Sequence, residues 1–455
     1  MKRLLCIALC AALAFGSAGC GLKNLKNVEL PPFPRVTETP VPTPVSTPTP
    51  APTPVPTPAP TPVPVETPQT APTAAPAAGA EEPLGQDGQI TVNYRSTSEE
   101  YYDPETGSKL ILHFAFDTPF VSISGRPAAA AAVNGQIAFL DESFYSGGTD
   151  GAFPGVNGML EMAEDNYAYV RQSGQSNLPL EYSMTRSVRT ERADSRVLSM
   201  VYHYYSYTGG AHGSYTQTGC VFDAETGQLL TLAQLSADEE AFRKRLLHCM
   251  VSLTESDPSL FDHVYVSYMN GDYYGTLSKL LREGSWYFDE TGLVVFSELY
   301  ELGPYAAGIA EFHISYPRLE GYLNSKWMPA ARTEQGTVRA SLMRDGEQGS
   351  VPFLDRVEAD RVGAEICLAA EGTVYNLRLC RAVFSDRYEE GQQLWYSSVL
   401  SNAALQLVTD IPDGRPNLML CYTDAAGTRY RKLITASGED GHIILLDEAE
   451  TNTWH

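Results

Sequence analysis

No two cysteines of this chain lie at CxxC spacing, no two histidines lie at i, i+4, and neither H-E-x-x-H nor G-x-S-x-G occurs. These absences exclude the common zinc frameworks, the helix-borne zinc protease centre and the nucleophile elbow of serine hydrolases. No metal or other cofactor is expected. Positive charge is scarce: 32 Lys and Arg stand against 55 Asp and Glu, a net charge of −23, of which residues 81–332 carry −17. Nucleic acid is therefore disfavoured and not expected as a partner, because phosphate contacts need a basic surface. A cationic partner would be steered towards such a chain, although a merely solubilising acidic surface accounts for the same charge. Long apolar runs are missing after the first residues, so no later stretch could cross a bilayer as a helix.

What is present begins with an address. Lys2 and Arg3 precede an apolar run from Leu4 to Phe15, then Ser17-Ala18-Gly19-Cys20. The pattern is that of a secretory signal over 1–19, too short to remain as a span. Its end resembles the bacterial lipobox, which implies lipidation of Cys20, a membrane link through that lipid, and a place on the outer face of the membrane. An ordinary cleaved signal that leaves a free thiol is the alternative. Residues 20–83 then form a spacer. Pro31–Pro76 contains 18 prolines in 46 residues with no periodic apolar face, so polyproline II of about 3.1 Å per residue is expected. Its threonines are candidates for O-glycosylation, which composition does not decide.

Five cysteines remain beyond the leader and Cys20: Cys220, Cys249, Cys367, Cys380 and Cys421. An odd number without clustering fits buried free thiols better than a disulfide framework. A cross-strand disulfide between Cys367 and Cys380 is the exception to check, since they flank a turn signal at Glu371-Gly372.

From Ile90 the pattern becomes that of a folded domain, expected over 84–328. Strands are predicted at Ile90–Tyr94 and Lys109–Phe116, around Asp103-Pro104-Glu105-Thr106-Gly107. Helices follow over Ala128–Tyr145, opened by Pro127, and over Gly155–Gln172, closed by Gly174. Long alternating strands occupy Leu180–Thr190 and Arg196–Tyr207. Ser236 with Glu239 reads as a capping box before the stripe Phe242, Leu246, Met250 and Leu253. A short helix is expected over Thr276–Arg282, a hairpin at Trp286–Phe288 and Leu293–Phe296, and a last strand at Ile309–Tyr316. Short turns between most strands argue an α+β fold, a largely antiparallel sheet packed with helices. Residues 333–455 change character to short strands alternating with Asp/Gly turns, which predicts a small all-β sandwich or barrel as an accessory unit.

The most distinctive stretch is Val201–Asp223, V-Y-H-Y-Y-S-Y-T-G-G-A-H-G-S-Y-T-Q-T-G-C-V-F-D. Two apolar arms meet across Gly209-Gly210-Ala211-His212-Gly213, a loop whose glycines allow positive φ or close approach. Tyr207, Gly209, Gly210, His212 and Tyr215 are the candidate ligand-binding residues. His212 could serve as a contact or a general base, while tying the loop to a neighbouring strand needs no ligand at all. Tyr300, Tyr305 and Pro304 read as a structural corner, and Glu311 and His313 alternate so as to share one face of a strand.

Several motifs in order carry a resemblance. Tyr207-Thr208-Gly209-Gly210-Ala211-His212-Gly213, Phe222-Asp223-Ala224-Glu225-Thr226-Gly227 and Leu230-Thr231-Leu232 are followed by Trp286-Tyr287-Phe288 and Gly292-Leu293-Val294-Val295-Phe296. The series closes with Tyr300-Glu301-Leu302-Gly303-Pro304-Tyr305 and Glu311-Phe312-His313-Ile314-Ser315-Tyr316. Together they resemble the extracytoplasmic domain shared by the peptidoglycan deacetylase PdaC and the lysozyme-sensing anti-sigma factor RsiV. The resemblance implies binding, with lysozyme, another cationic protein or peptidoglycan as the ligand. It does not bring deacetylation, for the chain has no Asp-Asp pair and no H-x3-H. A non-catalytic binding module is the expectation; a wall-polymer hydrolase using His212 and Glu311, or a purely structural envelope protein, are the alternatives.

Overall fold

Apolar residues at every second position place the first long strands, and those strands organise the rest. The computed structural model describes residues 86–147, 154–174, 181–343, 351–361, 363–411, 416–436 and 442–447. The expected signal, Cys20, the spacer, and the turns at Asp413-Gly414 and Glu439-Asp440-Gly441 lie outside these residues. β1 (Ile90–Tyr102) and β2 (Leu110–Ile123) pair antiparallel, both longer than the sequence suggests. In the turn between them the Asp103 carboxylate accepts from the backbone N–H of Thr106 at 2.9 Å and its hydroxyl at 2.6 Å.

A crossover through α1 (Pro127–Ser146) and α2 (Gly155–Ser173) returns the chain to β3 (Tyr182–Ala193), which runs parallel to β2. Pro127 stands in the first turn of α1, and Gly174 ends α2 in the left-handed region at φ 68°. β4 (Val197–Tyr207) and β5 (Ser214–Asp223) complete this side, antiparallel throughout. Val133 and Ile137 of α1 pack on Val92, Val188, Leu198, Met200 and Tyr202. Arg186 is buried among the rings of Phe116, Phe144 and Tyr202, where its charge is met by Asp141.

Helices α3 (Glu239–Ser256), α4 (Pro258–Met269) and α5 (Tyr273–Lys279) follow. The cap expected at Ser236 is made instead by Asp238, whose carboxylate accepts from Ala241 N–H at 3.0 Å, while the Ser236 hydroxyl donates to the carbonyl of Tyr322. A carboxylate next to a helix N-terminus is favoured by the dipole as well as by the hydrogen bond. A three-stranded sheet, β6 (Trp286–Phe288), β7 (Gly292–Phe296) and β8 (Glu311–Ser315), then seats on β4 and β5. Phe288 N–H donates to Ser199 Oγ at 3.0 Å and Gly219 N–H to the carbonyl of Gly284 at 2.8 Å. A Cβ on Gly219 would lie 1.9 Å from the carbonyl oxygen of Trp286, so only glycine permits this approach. The one-turn helix α6 (Tyr316–Leu319) closes the region.

The remaining strands are β9 (Gly336–Leu342), β10 (Phe353–Glu358), β11 (Ala364–Phe384), β12 (Tyr388–Ser401), β13 (Ala404–Thr409), β14 (Leu418–Thr423), β15 (Arg429–Ala436) and β16 (Ile443–Asp447). β11 changes partners along its length. Residues 364–372 pair with β9 and β13, and the later residues with β12 and β14. Gly372, at φ 79°, stands at the change. Apolar residues from both sets of strands, among them Leu368, Leu405, Leu379, Trp395 and Leu420, share one core. A strand that serves two sheets in this way is a known means of building a sandwich.

These strands do not stand apart from the first half. β12 pairs with β1, giving the order β16-β15-β14-β11-β12-β1-β2-β3-β4-β5. The class is α+β and mostly antiparallel, with parallel pairs only at β2–β3 and β10–β13 among the described residues. The disulfide considered between Cys367 and Cys380 is corrected by β11. Glu371-Gly372 bends one strand rather than turning between two, so the cysteines never face each other, and both are buried free thiols. No helix among the described residues is long and apolar enough to cross a membrane.

Candidate functional site

The glycine loop sits at the end of β4 and β5, with Gly209 and Gly210 at φ 98° and 100°. No L side chain adopts this backbone without strain. The Tyr207 hydroxyl donates to the carbonyl of Gly210 at 3.2 Å, and Gly213 leaves the space that the Tyr205 ring occupies. The loop thereby presents His212 at the surface. Its Nδ1 lies 3.0 Å from the carbonyl of Gly213. A carbonyl only accepts, so Nδ1 is the donor there, and Nε2 lies 3.2 Å from the Tyr300 hydroxyl. The imidazole stacks on Tyr305 with centroids 3.6 Å apart and planes inclined by 16°.

Tyr300 and Tyr305 are thus not the structural corner expected. Tyr300 is 60% exposed and holds φ 64°, a left-handed backbone uncommon for an aromatic residue. The base of its loop is fixed by Arg282, which grips both carboxylate oxygens of Glu301 at 2.6 and 2.9 Å. Glu298 also sits at this base. Burial, countered by Arg282 and reinforced by Glu301, pushes its carboxyl up to about 7, and its Oε2 is buried without a hydrogen-bond partner. Beyond the loop, Gly303 rests close to the His263 carbonyl of α4.

Residues 215, 217 and 219 of β5 point to the small sheet. Tyr215 is half-buried, and its phenol is raised by burial and by nearby Glu311 and Tyr305. Gln217 donates to Glu311 Oε1 at 3.1 Å, and the Tyr287 hydroxyl reaches the same oxygen at 3.4 Å. Burial, then Glu311, raises the Tyr287 phenol far above its ordinary value, so it remains a neutral donor. Glu311 and His313 do share the exposed face of β8. They have different partners, however: His313 Nε2 lies 2.8 Å from Asp289 Oδ2, a hydrogen bond that raises the imidazole.

All five candidate residues lie in or beside this loop, although Gly209 and Gly210 act through backbone shape alone. His212 and Glu311 share no hydrogen bond. The imidazole is bound to Gly213 and Tyr300, and the carboxylate to Gln217 and Tyr287. What the site offers is an outward ledge of three rings, His212, Tyr300 and Tyr305, with a carboxylate nearby. Tyr300 and Tyr305 are the members that sequence reasoning missed; the exposed signal was their recurrence in the same ordered motif series as the His212 loop.

Two family models match the chain. The model described as deacetylase PdaC matches residues 123–215, and that of a protein of unknown function, DUF3298, matches residues 253–317. The first ends just past the loop of His212, and the second contains Tyr300 and Tyr305. No curated protein matches. Among solved structures, a DUF3298 family member from Bacteroides fragilis is similar at 18% identity and a TM-score of 0.41, over 53% of this chain and 96% of that one. A DUF3298 family protein from Pseudomonas aeruginosa is similar at 18% identity and a TM-score of 0.30, over 52% and 97%. On the two family matches, the chain carries a PdaC/DUF3298-like domain of unknown function.

Proposed function

We propose that this chain is a non-catalytic binding protein, held outside the membrane by lipid on Cys20, that meets its ligand at the His212–Tyr300–Tyr305 ledge. The observation that carries the proposal is the stack of His212 on Tyr305 at 3.6 Å, with Tyr300 outward beside it. Rings held rigidly at a surface give large contact area at small entropic cost, which is why aromatic residues dominate binding hot spots. The imidazole spends its nitrogens on a backbone carbonyl and a phenol, an arrangement that orients a ring rather than activating a nucleophile.

A cationic protein suits this ledge best. Lysine and arginine side chains pack on ring faces, Glu311 stands close by, and residues 81–332 carry −17. Lysozyme is the first such protein to try, on the resemblance to the lysozyme-sensing domain; peptidoglycan is the second ligand. The steering component is tested by biolayer interferometry with immobilised chain and soluble lysozyme. The association rate should fall steeply between low and moderate salt. Absence of binding at both salt concentrations removes lysozyme as the ligand.

A further inference from the structure

Away from the ledge, and sharing no residue with it, lies a cleft. About 250 Å³ in volume, it opens where the residues before β1, the β3–β4 turn, the β6–β7 turn and residues 329–334 meet β11 and β12. Its walls are polar, and their innermost members are hidden from water. Arg192, Thr373 and Asn376 are 2%, 2% and 1% exposed. Polar groups buried around a void need partners. Arg192 has them in Asp194, the Tyr316 hydroxyl and the carbonyl of Trp327. Other members keep capacity to spare. Asn376 accepts from the Tyr396 hydroxyl at 2.7 Å, but its amide N–H₂ reaches Thr423 only at 3.4 Å. Arg332 lies over the Tyr375 ring and donates to Thr423 at 3.0 Å, leaving further N–H groups unspent.

The informative gap is between Glu290 and Arg332. Glu290 gives Oε1 to Arg378, while Oε2 faces Arg332 Nη1 across 4.0 Å, too far for a hydrogen bond. One hydroxyl oxygen about 2.8 Å from each atom closes that gap, accepting from the guanidinium and donating to the carboxylate. Asn376, held at φ 50° and oriented by Tyr396, places an amide in the same cleft.

We infer that this cleft binds a single neutral polyol of hexose size, with one hydroxyl bridging Glu290 and Arg332. Neutrality follows from the pairing of the charges around the cleft: Arg378 meets Glu290, Arg192 meets Asp194 and Arg126 faces Asp87, which leaves Glu334 and Arg332 to balance each other. An acidic sugar would bring a charge for which the cleft keeps no unmatched cation. The fixed orientation of Asn376 and Arg332 lowers the ordering cost of capture.

Saturation-transfer NMR on the intact chain tests this, with myo-inositol, glucose and glucuronate as separate probes. Inositol and glucose should show transfer with Kd on the order of 1–10 mM, and glucuronate should bind at least roughly tenfold more weakly. Arg332→Met keeps the stem over Tyr375 but removes every donor, and should weaken binding about fivefold or more; Arg332→Lys, which retains one donor group, should lose less. His212→Ala should change nothing, which separates this site from the ledge. Transfer from neither neutral probe, or transfer untouched by both Arg332 variants, would show a cleft filled by water alone and overturn the inference. Glucuronate binding as tightly as glucose would overturn the neutral class.

Discussion

Glu290, in the β6–β7 turn, forms a buried ion pair with Arg378 of β11, their side chains only 6% and 4% exposed. The pair ties the small sheet of the DUF3298-like segment to the C-terminal strands. Arg378 is shared with Glu390, which also holds Arg189 of β3 at 3.2 Å. Charges so far from water are tolerated only while every member is matched. Glu290→Ala leaves Arg378 short of a partner and is expected to cost about 3–5 kcal/mol of stability. Urea unfolding followed by circular dichroism checks it.

Gly219 makes a second, purely steric prediction. With the Trp286 carbonyl oxygen 1.9 Å from where a Cβ would stand, Gly219→Ala must push β6 away from β5. A loss of about 1–3 kcal/mol is expected, as for overpacked cores. Thermal unfolding measures it, and the neighbouring exposed substitution Thr216→Ala should change little.

Glu298 gives the pH dependence. Its carboxyl is raised from 4.5 to about 7 by burial, so the folded chain holds this proton more tightly than the unfolded chain does. The resulting stabilisation is complete below pH 4.5 and is lost as pH rises through 7. Glu298→Gln keeps a neutral side chain at all pH values. The difference in stability between variant and wild type should therefore shift in favour of Glu298→Gln between pH 5 and pH 8, by on the order of 1 kcal/mol after allowance for solvent screening. Denaturant titrations at the two pH values test the sign. Protection factors of the amides of residues 298–301, corrected for base-catalysed intrinsic exchange, should fall over the same range in the wild type and not in Glu298→Gln.

Much of this architecture is legible in residue order because it is local. Period-two alternation, Pro127 at a helix start, Gly174 at a helix end and the Asp289-Gly292 hairpin turn each act within a few residues. Where the structure departs from expectation, a non-local term decides. Helix α4 has only Val264 fully buried while Tyr265, Val266 and Met269 remain exposed beside Ser259 and Asp262, so its outer face is mixed and carries no clean amphipathic signal. Gly372 looks like a turn, yet β9 and β13 supply hydrogen bonds along both edges and keep β11 continuous. The loop of His212 is recognisable from its glycines. Its partner Tyr300 is 88 residues away, and the left-handed backbone that aims that ring comes from tertiary packing rather than from local sequence.

The ledge itself should be separable from the fold. His212 and Tyr300 are exposed, and their removal is expected to change stability by no more than about 1 kcal/mol. Tyr305→Ala should unstack the imidazole and cost about 2 kcal/mol of binding, the behaviour of a hot-spot ring. Paired melting and binding measurements on the single variants distinguish the two effects.

Isothermal titration calorimetry of lysozyme into the intact chain and into the variant His212→Ala/Tyr300→Ala/Tyr305→Ala tests the central claim most directly. The wild type should give a saturable heat that weakens with salt, and the triple variant, still folded by circular dichroism, should lose roughly tenfold or more in affinity. Identical isotherms from the two proteins, or hydrolysis of wall glycan by the wild type that His212→Ala abolishes, would contradict a non-catalytic ledge.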